Sequence, residues 1–333
     1  MKLIKSTVTV GAATILSRIL GFVRDVVLAR MFGASSATDA FFLAFRIPNL
    51  MRRLFAEGSF SLAFVPVLSE YRATGDRQAL KDLVDNVAGA LLAVLLVITA
   101  IGMLLAPAVL AVFAPGWFLE GREEFQLSAD MLRITFPYIL LISLTALAGG
   151  ILNTFERFLM PALTPVFLNL SLIAAAWLLS ARLEIPVMAL AWGVLAAGFV
   201  QLGVQIPALL RLGLLPRPRW GWRHSGVRRI LKLMVPTLVG SSAAQVNILF
   251  DSMIATFLVT GSVSWLYYSD RLLEFPLGVF GIALATVILP NLSRKHAKKS
   301  TEAFSETLDW AMRLSLLITI PAAAGLVVLS GPI

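Results

Sequence analysis

Arginine inside apolar sequence is the feature of this chain that points to chemistry. Arg18, Arg24 and Arg30 fall in one hydrophobic stretch, 7–32, and Arg46, Arg52 and Arg53 in the next, 38–68. The same two stretches hold only Asp25, Asp39 and Glu57. An arginine at the centre of a bilayer costs roughly 2.5–3.5 kcal/mol on insertion scales. Three acids cannot neutralise six cations, so the pattern calls for a water-filled cavity whose surplus charge holds an anion. A planar guanidinium fork suits phosphate or pyrophosphate better than a point charge does. Spacing supports shared faces. Asp39, Arg46 and Arg53 are seven apart, as are Arg18 and Asp25, and Glu57 follows Arg53 by four. The competing reading of Arg18, Arg24, Arg52 and Arg53 is internal ion pairing that only holds a bundle together, and the shortage of acids weighs against it. Arg30, Arg133 and Arg313 read as helix-end side chains that snorkel to the interface. Arg46 stays open between these readings.

Further along, Asn247 and Asp251 are four apart and share a helix face, while Arg271 follows Asp270 and precedes Glu274 by three. Asp251 can offer hard oxygen to a cation such as Na⁺, or pair with an arginine, and both readings stand. Other chemistries drop out. The chain has no Cys, which removes disulfides, thiolate metal sites and cysteine nucleophiles. Its two histidines, His224 and His296, lie in basic stretches, which argues against a histidine metal site. No Walker, GxSxG, HExxH or paired-carboxylate pattern occurs in any loop, and the loops are too short for a catalytic domain. No enzyme is expected.

The elements that must position these residues are membrane helices. Of 333 residues, 58% are hydrophobic and 14% charged, with a mean hydropathy of +0.86. Soluble domains run at about 45–50% apolar and about 25% charged. Uncharged runs long enough to cross a bilayer occupy 87–119, 134–155, 158–181, 185–210, 275–293 and 314–333. A further run, 233–250, continues past Asp251 to 269, and the two arginine-bearing stretches complete nine predicted helices. Continuous apolar runs exclude a β-barrel, whose strands alternate. With the N-terminus inside, the cytoplasmic segments collect seventeen Lys and Arg, and the opposite loops only Arg122 and Arg182. The basic loop ending at Lys232, PRPRWGWRHSGVRRILK, reads as an interfacial anchor on anionic lipid rather than a nucleic-acid site.

A faint repeat organises the helices. FVPVLSEY at 64–71 resembles VILPNLSR at 287–294, an offset that spans six helices and suggests two six-helix lobes, as in transporters. The predicted domains are a lobe over 1–212, a basic loop over 213–232 and the first three helices of a second lobe over 233–333. A second lobe that stops at its third helix predicts that this chain is incomplete.

At these residues the sequence resembles a known family. LSRILGFVRDVVLARMFGASSATDAFFLAFRIPNLMRRLFAEGSFSLAFVPVLSEY is similar to the signature region of the MurJ (MviN) family of bacterial lipid II flippases. ITFPYILLISL and TGSVSWLYYSDRLLEFPLGVFGIALATVILPNLS are similar to it as well. The resemblance implies an all-α polytopic membrane protein with the two-lobe, MATE-type helical bundle of the multidrug/oligosaccharidyl-lipid/polysaccharide exporters, here with a complete first lobe and a truncated second. It implies alternating access without ATP, and lipid II (undecaprenyl-pyrophosphate linked to a disaccharide-pentapeptide) as the substrate. It also implies the bacterial cytoplasmic (inner) membrane, with membrane lipids and cell-wall synthesis proteins as partners and no nucleic acid. Carried over by position, Arg18, Arg24, Asp25, Asp39, Arg52, Arg53, Glu57 and Arg271 correspond to the family's charged cavity residues, and Asp251 to a sodium ligand of some members. The alternatives are an exporter of another lipid-linked oligosaccharide or a drug on the same fold, a channel, or a membrane scaffold for cell-wall synthesis.

Overall fold

The computed structural model describes residues 2–53, 59–276, 288, 292 and 301–328. They form α1 (Lys2–Phe32), α2 (Ser36–Met51), α3 (Phe60–Ala73), α4 (Arg77–Leu104), α5 (Ala106–Phe113), α6 (Pro115–Glu120) and α7 (Glu123–Thr135). These are followed by α8 (Tyr138–Thr154), α9 (Leu159–Leu178), α10 (Met188–Gly203), α11 (Ile206–Leu212), α12 (Ser225–Ala255), α13 (Ser262–Pro276) and α14 (Thr301–Val328). Five of the described spans are long and apolar enough to cross a membrane: Arg77–Leu104, Glu123–Thr154, Leu159–Arg182, Met188–Leu212 and Phe304–Val328. Together with the family relationships set out below, they make this a multi-pass membrane protein.

Several predicted spans divide where the backbone chemistry demands it. The 38–68 stretch is two helices, α2 and α3. Pro48 inside α2 offers no N–H to the preceding turn, and the backbone widens into a π-type turn at Arg52 and Arg53. The 87–119 run belongs to α4 and two short helices, because Pro107 and Pro115 each start a new helix. The run from 233 to 269 stops at Ala255 and restarts at Ser262 after a turn that ends at Gly261. Arg271, which precedes the predicted 275–293 span, sits on α13. The 275–293 span and the second copy of the repeat fall largely outside the described residues.

The chain forms two compact units, Met1–Trp265 and Leu266–Ile333. The core of the first is built where α3, α4 and α8 meet, with Phe64, Val67, Leu68, Leu83, Val84, Ile151 and Leu152 essentially inaccessible. Leu209, Leu214, Val227 and Ile230 join that core, so the end of α11, the linker after it and the start of α12 are packed into it. Elsewhere α1 lies on α9, α9 on α10, and α2 on α7. α1 leaves Ile15, Leu16, Ile19, Phe22 and Val23 exposed, the character of a surface that lipid covers. In the second unit, α14 exposes Leu316, Leu317, Ile320, Val327 and Val328 in the same way.

Candidate substrate-binding site

On α1, Arg24 and Asp25 are buried together, at 4% and 9% exposure. Arg24 Nε and Nη2 donate to the same Asp25 Oδ1 at 2.9 and 2.6 Å, and Nη1 donates to Asn169 Oδ1 on α9 at 2.9 Å. The Asn169 amide donates in turn to the carbonyl of Ser17 at 3.1 Å. These bonds pin α1 to α9 and shield a charge that apolar surroundings would otherwise expel. Asp25, which seven-residue spacing places on a face with Arg18, is thus bonded to its own neighbour. Arg18 is exposed, as is Arg30 at the end of the helix.

On α2 the charges take three different environments. Asp39 is 1% exposed. Its Oδ2 accepts the Gly261 N–H at 2.6 Å, and its Oδ1 accepts the Ser264 N–H at 2.8 Å and the Ser264 hydroxyl. These donors open α13, so Asp39 supplies that helix with its N-terminal anion from across the bundle. Two turns on, half-buried Arg46 donates to the Ser252 hydroxyl of α12. Arg52 and Arg53 are half-buried at the π-type turn, and Arg52 Nε and Nη2 donate to Asn49 Oδ1 at 3.1 and 2.9 Å. Glu57 lies outside the described residues.

The Asp39 contact belongs to a wider seam at this end of the first unit. Thr260 Oγ1 donates to Glu124 Oε1 at 3.0 Å, Arg122 Nη1 to the Leu258 carbonyl at 2.9 Å, and the Gly116 N–H to Thr256 Oγ1 at 3.2 Å. At the other end the basic loops gather. Arg77 donates to the Leu212 carbonyl at 2.9 Å, Arg219 pairs with Asp82 at 3.0 Å, and Arg229 forms a two-pronged pair with Glu70, one arm at 2.8 Å. Asp85, 1% exposed, accepts the Arg217 N–H at 2.7 Å and pairs with Lys81, while its carbonyl accepts the Arg219 N–H at 3.1 Å. The helix ends thus segregate the loops by charge.

The remaining predicted residues stand apart. Asn247 and Asp251 are both exposed on α12, and among the described residues no three His, Asp or Glu side chains group around a metal position. A hard cation takes about six oxygens, and these two side chains supply only part of that shell. In the second unit, Arg271 pairs with Glu274 at 2.7 Å and lies 5.5 Å above the Tyr267 ring. Sequence reasoning missed Asn169, Ser252 and Ser264, the neutral partners of the buried charges. A lone amide in an otherwise apolar helix was the available signal for Asn169, since such a group is placed in a membrane helix to bond another.

The family model and the curated relatives agree on one family. The family described as lipid II flippase MurJ matches residues 28–333. A probable lipid II flippase MurJ of Vibrio cholerae is 52% identical over 337 residues, covering 99% of this chain and 64% of that protein. The lipid II flippase MurJ of Burkholderia cenocepacia is 43% identical over 337 residues, covering 100% of this chain and 65% of its own length. The chain therefore spans a little under two thirds of the curated relatives it matches. A solved lipid II flippase MurJ in an inward closed conformation superposes with a TM-score of 0.80 at 29% identity, over 98% of this chain and 66% of that one. An inward-facing MATE family transporter of the MOP superfamily shares the fold, with a TM-score of 0.70 at 16% identity, over 94% of this chain and 70% of that one. The helical fold is the MurJ and MATE-type transporter fold, and the chain belongs to the MurJ family.

Proposed function

We propose that this chain serves in moving lipid II across the bacterial cytoplasmic membrane, binding the pyrophosphate of the undecaprenyl-linked precursor through arginine. The observation that carries the reading is the 52% identity, over 99% of the chain, to a protein named as a probable lipid II flippase. The cation surplus on α1 and α2 supports it. Arg52 and Arg53 are half-buried at a widened turn, so their guanidinium groups can reach an anion without first leaving a sealed core. Arg24 is bound to Asp25 and Asn169 here, and we assign it to a state in which α1 and α9 have shifted. Arg271, in the second unit, is a separate candidate for a phosphate contact, carried by its position in the family resemblance. The work is transport by alternating access, so the seam of Asp39, Glu124 and residues 256–264 is assigned as the contact that breaks when its own end of the bundle opens. A coupling Na⁺ at Asp251 would need further oxygens beyond Asn247.

Binding of purified protein to lipid II, followed by native mass spectrometry, tests the site. Arg52→Ala, Arg53→Ala and Arg271→Ala should each weaken binding about tenfold, the value of one lost charge-assisted contact. Arg52→Lys should recover only part, because it lacks the fork. Wild-type affinity in all three alanine variants would overturn the assignment. Orientation is tested by single-cysteine labelling, which the absence of native Cys makes clean. Arg223→Cys should react from the cytoplasmic side and Glu123→Cys from the outside, and the reverse pattern would invert the topology.

A further inference from the structure

The basic end of the first unit contains a cavity of about 340 Å³ between the α3–α4 turn, the end of α8 and the segment leaving α11. Three arginines line it: Arg72 at the end of α3, Arg77 at the start of α4 and Arg211 on α11. The one acid in the lining is Asp76, and its Oδ1 already accepts the Gln78 and Ala79 N–H groups at 2.9 and 3.0 Å as the cap of α4. The lining is therefore net positive with its carboxylate engaged.

Two of the guanidinium groups are held in place. Arg72 lies 4.7 Å above the Phe155 ring and donates through Nη1 to the Thr154 carbonyl. Arg77 donates through Nη2 to the Leu212 carbonyl at 2.9 Å. Gly213 lies beside that contact. A Cβ there would come within 2.8 Å of Arg77 Nη2, and the backbone has φ +67°, a conformation that favours glycine. A guanidinium carries five N–H donors, so one carbonyl positions each group and leaves donors over. Arg211 makes no side-chain hydrogen bond among the described residues. Phe155, Leu80 and Leu214 supply an apolar wall beside the cations. Preorganised cations next to apolar surface, at a helix-end level of a membrane protein, match the phosphate of a lipid headgroup with the root of its chains.

We propose that this cavity binds a phosphate group, presented by an anionic lipid headgroup at the basic face of the membrane. The site uses none of the arginines assigned to lipid II, and it does not rest on the flippase reading. The test uses the purified protein in neutral detergent, with thermal unfolding followed as phosphatidylglycerol, phosphatidylcholine or inorganic phosphate is added. Phosphatidylglycerol should raise the midpoint of the wild type and of Arg182→Gln, a control outside the cavity, and phosphatidylcholine should not. Arg211→Gln, which removes a side chain with no structural bond, should weaken phosphatidylglycerol binding about tenfold, and Arg77→Gln/Arg211→Gln should abolish it. A response to phosphatidylglycerol alone supports the lipid headgroup. A matching response to inorganic phosphate, lost in the same variants, keeps the phosphate site and moves its source to the free anion. Equal behaviour of wild type, Arg211→Gln and the double variant toward both probes would overturn the proposal.

Discussion

Asp39 and Asp85 are two carboxylates, each 1% exposed, that hold opposite ends of the same unit to a distant segment of chain. Each accepts backbone N–H groups from that segment, Gly261 and Ser264 for Asp39, Arg217 for Asp85. The difference lies in what balances the charge. Asp85 has Lys81 one turn away and docks a linker whose backbone presses directly on α4. Asp39 is met by backbone N–H groups and one hydroxyl at the first turn of α13. Neutral donors can exchange a carboxylate for water without leaving a cation behind, whereas an ion pair fixed under a packed linker resists separation. One end is held by an ion pair under a packed linker, the other by neutral donors alone among the described residues.

Breaking the ion-paired anchor should show the largest effect. Asp85→Ala removes the partner of Lys81 and the acceptor of the Arg217 N–H, and should cost about 3 kcal/mol, the low end for a broken buried pair because Lys81 is partly solvated. Thermal unfolding in detergent reads it, and an unchanged midpoint would remove the anchor from the comparison. Asp39→Asn keeps one acceptor and should cost about 1.5–3 kcal/mol. Its sharper signature is kinetic access, with Thr260→Cys labelled faster in the Asp39→Asn background than in the wild-type one. Equal labelling rates would show that Asp39 does not hold the 256–261 turn.

Gly89→Ala sharpens the anchor side from the opposite partner. A Cβ at Gly89 would sit 1.8 Å from the Arg219 carbonyl oxygen, so the linker must lift, at about 1–3 kcal/mol for overpacking. Linker cysteines such as Trp220→Cys should then react faster, and a linker undisturbed by the substitution would refute the close approach. The smallest effect belongs to Glu70→Ala, which breaks the solvated pair with Arg229 and should leave the unfolding midpoint essentially where it is in the wild type. A larger loss would mean that the basic end depends on surface pairs rather than on Asp85.

Much of this protein was legible before any fold was known, because membrane helices declare themselves through composition. Continuous apolar runs placed most of the spans. The signature around residues 16–71 pointed to the MurJ family, to which the chain belongs, and the charge asymmetry of the loops reappears as contacts that segregate by end. Helix breaks at Pro107 and Pro115 were also present in the sequence, although a hydropathy average runs through them. What tertiary structure alone decided is which charge meets which partner. Spacing related Asp25 to Arg18 and Asp39 to Arg46 and Arg53, since periodicity speaks only of neighbours on one helix. The fold gave Arg24 to Asn169, 145 residues away, and Asp39 to Gly261, 222 residues away. A buried charge must find donors or acceptors wherever packing brings them, and packing joins segments whose meeting no local pattern records.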